Sequence, residues 1–328
     1  MRFIIYGVGA IGGALAVDLN RNGYEVVGIA RGAQLEALRR DGLRLRTPEG
    51  DLHARFDTVP HPGDVEFRRD DVILLAMKSQ HTEDALLALR DAGVRQQSIV
   101  CVQNGVANER MALRYFDHVL GAMLMMPVTF VTPGEVIASG TPKRGVLDIG
   151  TFPSGTDARA DMICEALNAS GYAAYAHEDV MRAKYGKLLL NLVNGIDAVL
   201  GKTDKPSKYI RMAREEALAV YEKAGIAYDD VGEDNPRRKA LMQFGEVPGA
   251  PRIGSSAAQS LVRGAGSIEI DFLNGEIALL GRKYGVPTPV NIFFAELCQK
   301  FVHGGKQPGS LDEEGVDALF LAWVAEGF

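Results

Sequence analysis

The chain has 328 residues, 47% of them hydrophobic and 24% charged, with a formal net charge of −6. That length is about twice an ordinary domain, so two domains are expected, each able to bury a core of its own. The acidic balance argues against a general nucleic-acid or anionic-membrane surface, no apolar stretch reaches spanning length, and a strand starting at residue 2 leaves no room for a leader peptide, so the expected compartment is the cytoplasm.

Arg2 to Tyr6 (RFIIY) is a β-branched and aromatic run that predicts a strand. Gly7-Val8-Gly9-Ala10-Ile11-Gly12 follows at once, an apolar helical pattern runs to about Asn22, and Gly23 breaks it before a second strand at Glu25 to Ile29. Strand, glycine turn, helix and strand is the context in which GxGxxG reads as a dinucleotide-binding turn. Gly7 allows the tight turn, Gly9 lets a pyrophosphate approach the backbone, and Gly12 lets the helix pack closely on the strand with its N-terminal N–H groups facing the anion. An acidic residue after the second strand would bind the ribose 2′-hydroxyl of NAD, whereas an arginine accommodates the 2′-phosphate of NADP. Here the strand ends Gly28-Ile29-Ala30-Arg31-Gly32 with no carboxylate before Glu36, so Arg31 predicts NADP.

The α/β rhythm continues with a helix at Gln34 to Asp41, a polar hairpin-like stretch from Arg44 to Arg55, a buried-type strand at Val72 to Met77 and a helix from Thr82 to Ala92. A strand at Ser98 to Val102, a helix from Asn108 to Tyr115, a strand at Val119 to Met125 and a Pro/Gly-punctuated β region through Ile149 follow. In a doubly wound sheet, ligands bind beyond the carboxyl ends of the strands near the switch point. Lys78 and Asn104 stand just past two such strands and should overhang the cofactor; His81, nearby, reads as a surface residue. Cys101, Cys164 and Cys298 are odd in number and far apart, which reads as free thiols, and the six histidines lack metal-ligand spacing, so no metal is expected.

From about Glu178 the pattern is almost wholly helical. The expected organisation is an NADP-binding Rossmann domain at 1–175 and a helical domain at 176–328, with 229–251 as a loop or short irregular segment within the second. Asp179 to Leu200 predicts one long, substantially buried helix on which Lys184, Lys187, Asn191 and Asn194 share a face. A lysine there can hold a substrate carbonyl and donate a proton to the alkoxide as hydride arrives, and the asparagines can hydrogen-bond substrate oxygens. Ser255-Ser256 and Glu269 to Gly275 (EIDFLNG) read, by themselves, as a helix cap and a charged helix face.

Taken together, GVGAIG at 7–12, Arg31, Lys78 in MKSQ, QNG at 103–105, PGEV at 133–136, KLLLN at 187–191, Ser255-Ser256, EIDFLNG at 269–275 and GVPTPVN at 285–291 resemble the ketopantoate reductase family essentially end to end. The resemblance implies a Rossmann domain followed by an all-helical domain, with the site in the cleft between them. It implies Lys187 as general acid, Glu269 as a carboxylate assisting substrate binding and protonation, and Asn191 and Ser256 as ligands of the substrate's oxygens and carboxylate. Lys78 and Asn104 become cofactor and substrate-side contacts. The implied reaction is NADPH-dependent reduction of a 2-oxo acid, ketopantoate above all, with no nucleic-acid or membrane partner.

Four departures touch the substrate side: Gly195 where the family often has a second asparagine, with Asn194 one place earlier; Tyr185 for the usual tryptophan; one extra residue between Ser256 and Glu269; and a long 229–251 segment. A β-hydroxyacid-type dehydrogenase also uses a Lys-x-x-x-Asn helix, but usually with an acidic residue after the second strand. An NADP-sensing regulator would have no use for a proton donor. The apolar stretch at Ala318 to Val324 leaves room for a homodimer.

Overall fold

Arg2–Tyr6 forms β1, nearly every residue of it buried, because a parallel sheet covered on both faces wants an unbroken apolar run rather than alternation. The structure, a computed structural model, describes residues 1–201, 205–250, 254–262, 264 and 266–327. After β1 come α1 (Ala10–Arg21), β2 (Glu25–Ile29), α2 (Gly32–Asp41), β3 (Leu43–Thr47), β4 (Gly50–Ala54), β5 (Asp57–Val59), β6 (Val72–Leu75), α3 (Thr82–Asp91), β7 (Ser98–Cys101), α4 (Asn108–Leu113) and β8 (Val119–Met125). The chain continues through β9 (Val128–Thr132), β10 (Glu135–Ala138), β11 (Gly140–Pro142), β12 (Val146–Thr151), α5 (Ala158–Ala169) and β13 (Ala173–Ala176). Then follow α6 (Val180–Asn191), α7 (Val193–Leu200), α8 (Lys208–Ala224), α9 (Pro236–Leu241), β14 (Met242–Phe244), α10 (Ser256–Val262), α11 (Asn274–Tyr284), α12 (Pro289–His303) and α13 (Glu313–Ala325).

The main sheet runs β13-β12-β8-β7-β6-β1-β2-β5, parallel throughout except where β12 meets β8. Its β5-β2-β1-β6-β7-β8 portion is the Rossmann order, and the winding reverses between β1 and β6. A second sheet, β4-β3-β10-β9, packs on the outer side of α1. The contact is close enough that a side chain at Gly13 would press on Val136 and Leu43 at 3.0 and 3.1 Å. Asp18 on α1 is buried against the Arg144 guanidinium at 2.8 Å and the Tyr172 hydroxyl at 2.9 Å, so α1 is also tied to the strands beyond it.

The chain divides into two compact units, Met1–Lys184 with Asp230–Ala250, and Tyr185–Asp229 with Pro251–Phe328. This differs from the boundary expected near 175. The first turn of α6 stays with the first unit because the Lys184 ammonium is buried there, ion-paired to Glu109 and donating to the Gln103 carbonyl at 3.1 Å. The 229–251 segment is not an irregular stretch of the helical domain: it holds α9 and β14, and residues 230–250 return to the first unit, while Asp229 stays with the second and Pro251 lies outside the described residues. There β14 pairs antiparallel with β11, and Arg237 reaches Asp148 at 2.5 Å. A three-residue strand is too short to show a period of two, so the pairing left no pattern in the sequence.

The second unit is helical, with α11 and α12 packed on α7 and α8. Tyr209, Phe293, Phe294, Phe320 and Trp323 form its aromatic cluster, most pairs edge-to-face at 5.1–5.7 Å between centroids. Among the described residues no helix is long and apolar enough to cross a membrane.

Candidate active site

Three strand ends meet at the glycine turn. Gly7 donates to Ile29 at the end of β2 at 3.0 Å, and Ala76 after β6 donates to Tyr6 at 2.9 Å. Gly7 has φ +100°, and a Cβ there would lie 2.7 Å from the Met77 nitrogen. At Gly12 a Cβ would lie 2.2 Å from the Gly7 carbonyl, so these two glycines are demanded by the turn itself. Gly9 differs: nothing stands within 4 Å of the position its Cβ would take, and it caps α1, whose first-turn N–H groups lack helical partners. Val8 is buried, and its methyl would meet a Gly28 side chain at 2.9 Å, while Ala10 and Ile11 begin the helix half-buried. An open glycine before a helix N-terminus is the cradle a diphosphate needs, so these residues fit a dinucleotide. Gln34, which carried no signal in the sequence, locks the turn: its amide donates to the Val8 carbonyl and accepts from Gly134 of the PGEV motif, both at 2.8 Å.

Arg31 follows β2 in extended conformation and caps α2; it is exposed, and its guanidinium has no hydrogen-bond or ion-pair partner among the described residues. Its charge is felt at Tyr6, whose phenol burial pushes up and Arg31 pulls back. His81 is exposed at the surface as expected, and burial followed by the charges of Arg31 and Lys78 holds its imidazole below the usual value. Arg31 and Lys78 therefore share one cationic neighbourhood at the carboxyl ends of β2 and β6. Half-buried Asn104 stands past β7, its carbonyl accepting from Asn108 at 3.0 Å and from Ser79, next to Lys78, at 3.4 Å.

In the second unit, Lys187 and buried Asn191 lie one turn apart on α6. The single helix expected over 179–200 is two, joined at Leu192, whose carbonyl accepts from Asn274 at 3.3 Å. Asn274 also donates to Asn291 at 3.0 Å, and Asn291 donates to Glu216 at 2.7 Å. The Glu216 carboxylate further accepts the first N–H groups of α12; burial raises its pKa against these hydrogen bonds. The EIDFLNG and GVPTPVN motifs thus buttress the α6–α7 junction. On α7 the Asn194 amide donates to the Ser256 hydroxyl at 3.4 Å, and Ser255 donates to the Asn194 carbonyl at 3.1 Å, so Asn194 and Ser256 are brought together. Half-buried Glu269 directly precedes the turn Ile270–Phe272. Lys184 does not join this group, because its ammonium is committed to Glu109 in the first unit.

Residues 3–154 match the sequence profile of ketopantoate reductase PanE/ApbA, and residues 179–301 match that of its C-terminal domain. The chain belongs to the ketopantoate reductase family. It is thereby an oxidoreductase of a pyridine-nucleotide-dependent family. The 2-dehydropantoate 2-reductase of Archaeoglobus fulgidus is 29% identical over 301 residues, covering 88% of this chain and 94% of that protein. The Pyrococcus horikoshii 2-dehydropantoate 2-reductase is 28% identical, covering 91% and 97%. Among solved structures, a PanE/ApbA family ketopantoate reductase from Ralstonia eutropha superposes with TM-score 0.77 at 28% identity over 93% of this chain and 99% of that one. D-mandelate dehydrogenase, solved with NADH and anilino(oxo)acetate, shares the fold at TM-score 0.78 and 23% identity, over 93% and 99%.

Within this ketopantoate reductase family member, position 195 is crowded by side chains. A Cβ on Gly195 would lie 2.5 Å from the Ile270 Cδ1 and 3.3 Å from the Asn274 Oδ1. A side chain there would displace the Ile270 methyl, and the neighbouring Asn194 donates to Ser256. Cys101, Cys164 and Cys298 are free and buried; burial raises all three thiols, Cys164 and Cys298 to about 12.

Proposed function

We propose that the protein reduces a 2-oxo acid to a 2-hydroxy acid with NADPH, converting 2-dehydropantoate (ketopantoate) to pantoate in pantothenate biosynthesis. The observation that carries this reading is the open cradle at Gly9 beside a cationic, unpartnered Arg31, in a chain of this family. Gly7 to Gly12 would hold the diphosphate, Arg31 the 2′-phosphate, and Lys78 and Asn104 the nicotinamide half and the substrate side. The bound dinucleotide supplies the hydride. Lys187 delivers the proton to the developing alkoxide, assisted by Glu269; Ser256, steadied by Asn194, holds the carboxylate; and Asn191 takes a further substrate oxygen. Acting in the cytoplasm and as a homodimer belongs to the same reading, the latter supported by the exposed Leu319, Leu321 and Val324 of α13.

A second reading keeps the chemistry and changes the acid. Gly195 favours it, since a residue without a side chain offers a substrate hydroxyl no polar partner. Steady-state kinetics with ketopantoate and with 2-oxoisovalerate, which lacks the hydroxymethyl group, separates the two. A site built to bind that hydroxyl should favour ketopantoate by well over about tenfold in kcat/KM. Comparable rates, or reduction only of bulkier oxo acids, would transfer the assignment to the second reading.

A further inference from the structure

A buried polar relay joins the two loops that carry Lys78 and Asn104. The Gln103 amide donates to the Met77 carbonyl at 3.0 Å and to the Thr82 hydroxyl at 2.7 Å. Thr82 donates onward to the Asn108 Oδ1 at 2.8 Å, and the Asn108 amide nitrogen donates to the Ser79 hydroxyl and the Asn104 carbonyl, both at 3.0 Å. The Lys184 ammonium, paired with Glu109, takes the Gln103 carbonyl. Ser79, Thr82, Gln103, Asn108, Glu109 and Lys184 are all at least nine-tenths buried. The Met77 carbonyl before Lys78 and the carbonyls on both sides of the Asn104 Cα are therefore held by side chains, and the side chain of Ser79, after Lys78, is held by the same set.

We propose that this relay, with Thr82 at its centre, is a positioning device that sets Lys78 and Asn104 for the dinucleotide and substrate. Loops past strand ends are free to drift unless anchored, and a buried set of mutually hydrogen-bonded donors and acceptors is directional where apolar packing is not. Lys184 belongs to it as an anchor of the Asn104 turn, not as a second proton donor. The proposal rests on the roles given to Lys78 and Asn104 above.

The Thr82 hydroxyl bonds Gln103 and Asn108 and neither the glycine turn nor Arg31, so the test uses Thr82→Val, which keeps shape and removes both links, beside Thr82→Ser, which keeps the hydroxyl. In each, turnover with ketopantoate and NADPH is measured, along with affinities for NADPH and for 2′,5′-ADP, which lacks the nicotinamide half. Thr82→Val should lower kcat roughly 10- to 100-fold and erase most of the affinity margin of NADPH over 2′,5′-ADP, leaving 2′,5′-ADP itself within about twofold. Thr82→Ser should restore turnover to within about threefold of wild type. Unchanged kcat in Thr82→Val, or parallel loss of 2′,5′-ADP and NADPH binding, would overturn the proposal. If Thr82→Val proves too unstable to purify, Ser79→Ala, which removes one smaller member, is read by the same criteria. If the wild type reduces no oxo acid, that failure falls on the functional reading alone, and the affinity margin still tests the relay; should the wild type prefer NADH, NADH and ADP replace the pair.

Discussion

Arg31 carries a charge that nothing among the described residues neutralises, at the end of the strand that faces the adenosine ribose in a Rossmann fold. A charge-assisted contact to a phosphate contributes roughly 1.5–3 kcal/mol, so Arg31→Ala should weaken NADPH binding by that amount and leave NADH nearly unchanged. Calorimetric titration with both nucleotides checks this, and equal losses would remove the phosphate clamp. Lys187 is read through kcat. As proton donor it acts on the transition state, so Lys187→Ala should lower kcat on the order of 10²–10⁴-fold with NADPH affinity nearly intact. Survival of kcat within a few-fold would pass the role to Glu269, because Lys184 is buried against Glu109. Both residues stand out as candidates in the sequence, Arg31 from its place after a strand and Lys187 from a helix face shared with Lys184, on which the family resemblance selects it. Gln34 and Thr82 do not, since a single polar side chain reaching a backbone group 26 residues away, or an amide 21 residues away, leaves no local pattern.

Among the elements, the β1–α1–β2 unit was readable almost to the residue, because strand, turn and helix each have a local signature there. The same geometry separates two glycines that a motif treats alike. Gly12→Ala puts a methyl on the Gly7 carbonyl, a rigid backbone atom, and overpacking of that kind costs about 1–3 kcal/mol. Gly9→Ala meets nothing within 4 Å. The nucleotide-free Gly9→Ala protein should therefore melt within about 1 °C of wild type, while Gly12→Ala loses about 2–4 °C per kcal/mol. Both should bind NADPH more than about tenfold more weakly, the first because its methyl occupies the cradle. Thermal melts with and without NADPH decide this; an NADPH affinity unaffected in Gly9→Ala would mean the pyrophosphate lies elsewhere. The α6–α7 break escaped the sequence because Leu192 is an ordinary helix former. Its carbonyl is claimed by Asn274, 82 positions away.

For the whole molecule, acid stability depends on carboxyls of opposite sign. Burial would lift the Asp157 carboxyl, but His118, at 2.7 Å, and the N–H groups of Ala160 and Arg159 at the start of α5 outweigh it and hold the pKa below the usual value. A folded pKa below the unfolded one adds stability that is complete above the unfolded value of about 3.9 and is lost as pH falls through the folded value. Asp18 and Glu216, raised by burial, act the other way: what they add is present at low pH and lost as pH rises through their folded values. Asp157→Asn should therefore lower Tm at pH 7, and the gap from wild type should close as pH falls below about 4. A gap that stays constant from pH 7 to pH 3 would show that the carboxylate charge contributes nothing.

By itself the sequence determined the Rossmann half, the glycine turn at 7–12, the place of Arg31 after β2 and a helix carrying Lys187 and Asn191, because each is written in spacing along the chain, where backbone geometry imposes periods of two and 3.6 and glycine alone fits a crowded or left-handed turn; the family was legible through the resemblance of its motifs. Only the tertiary structure decided that residues 230–250 return to the first unit, that Lys184 is an anchor, that Ile270 crowds position 195, and that Thr82 joins the Lys78 and Asn104 loops. Each of these is a contact between residues far apart in sequence. Whether a buried amine meets a carboxylate, or a glycine meets a methyl, depends on which surfaces the fold presses together, and no local period records that.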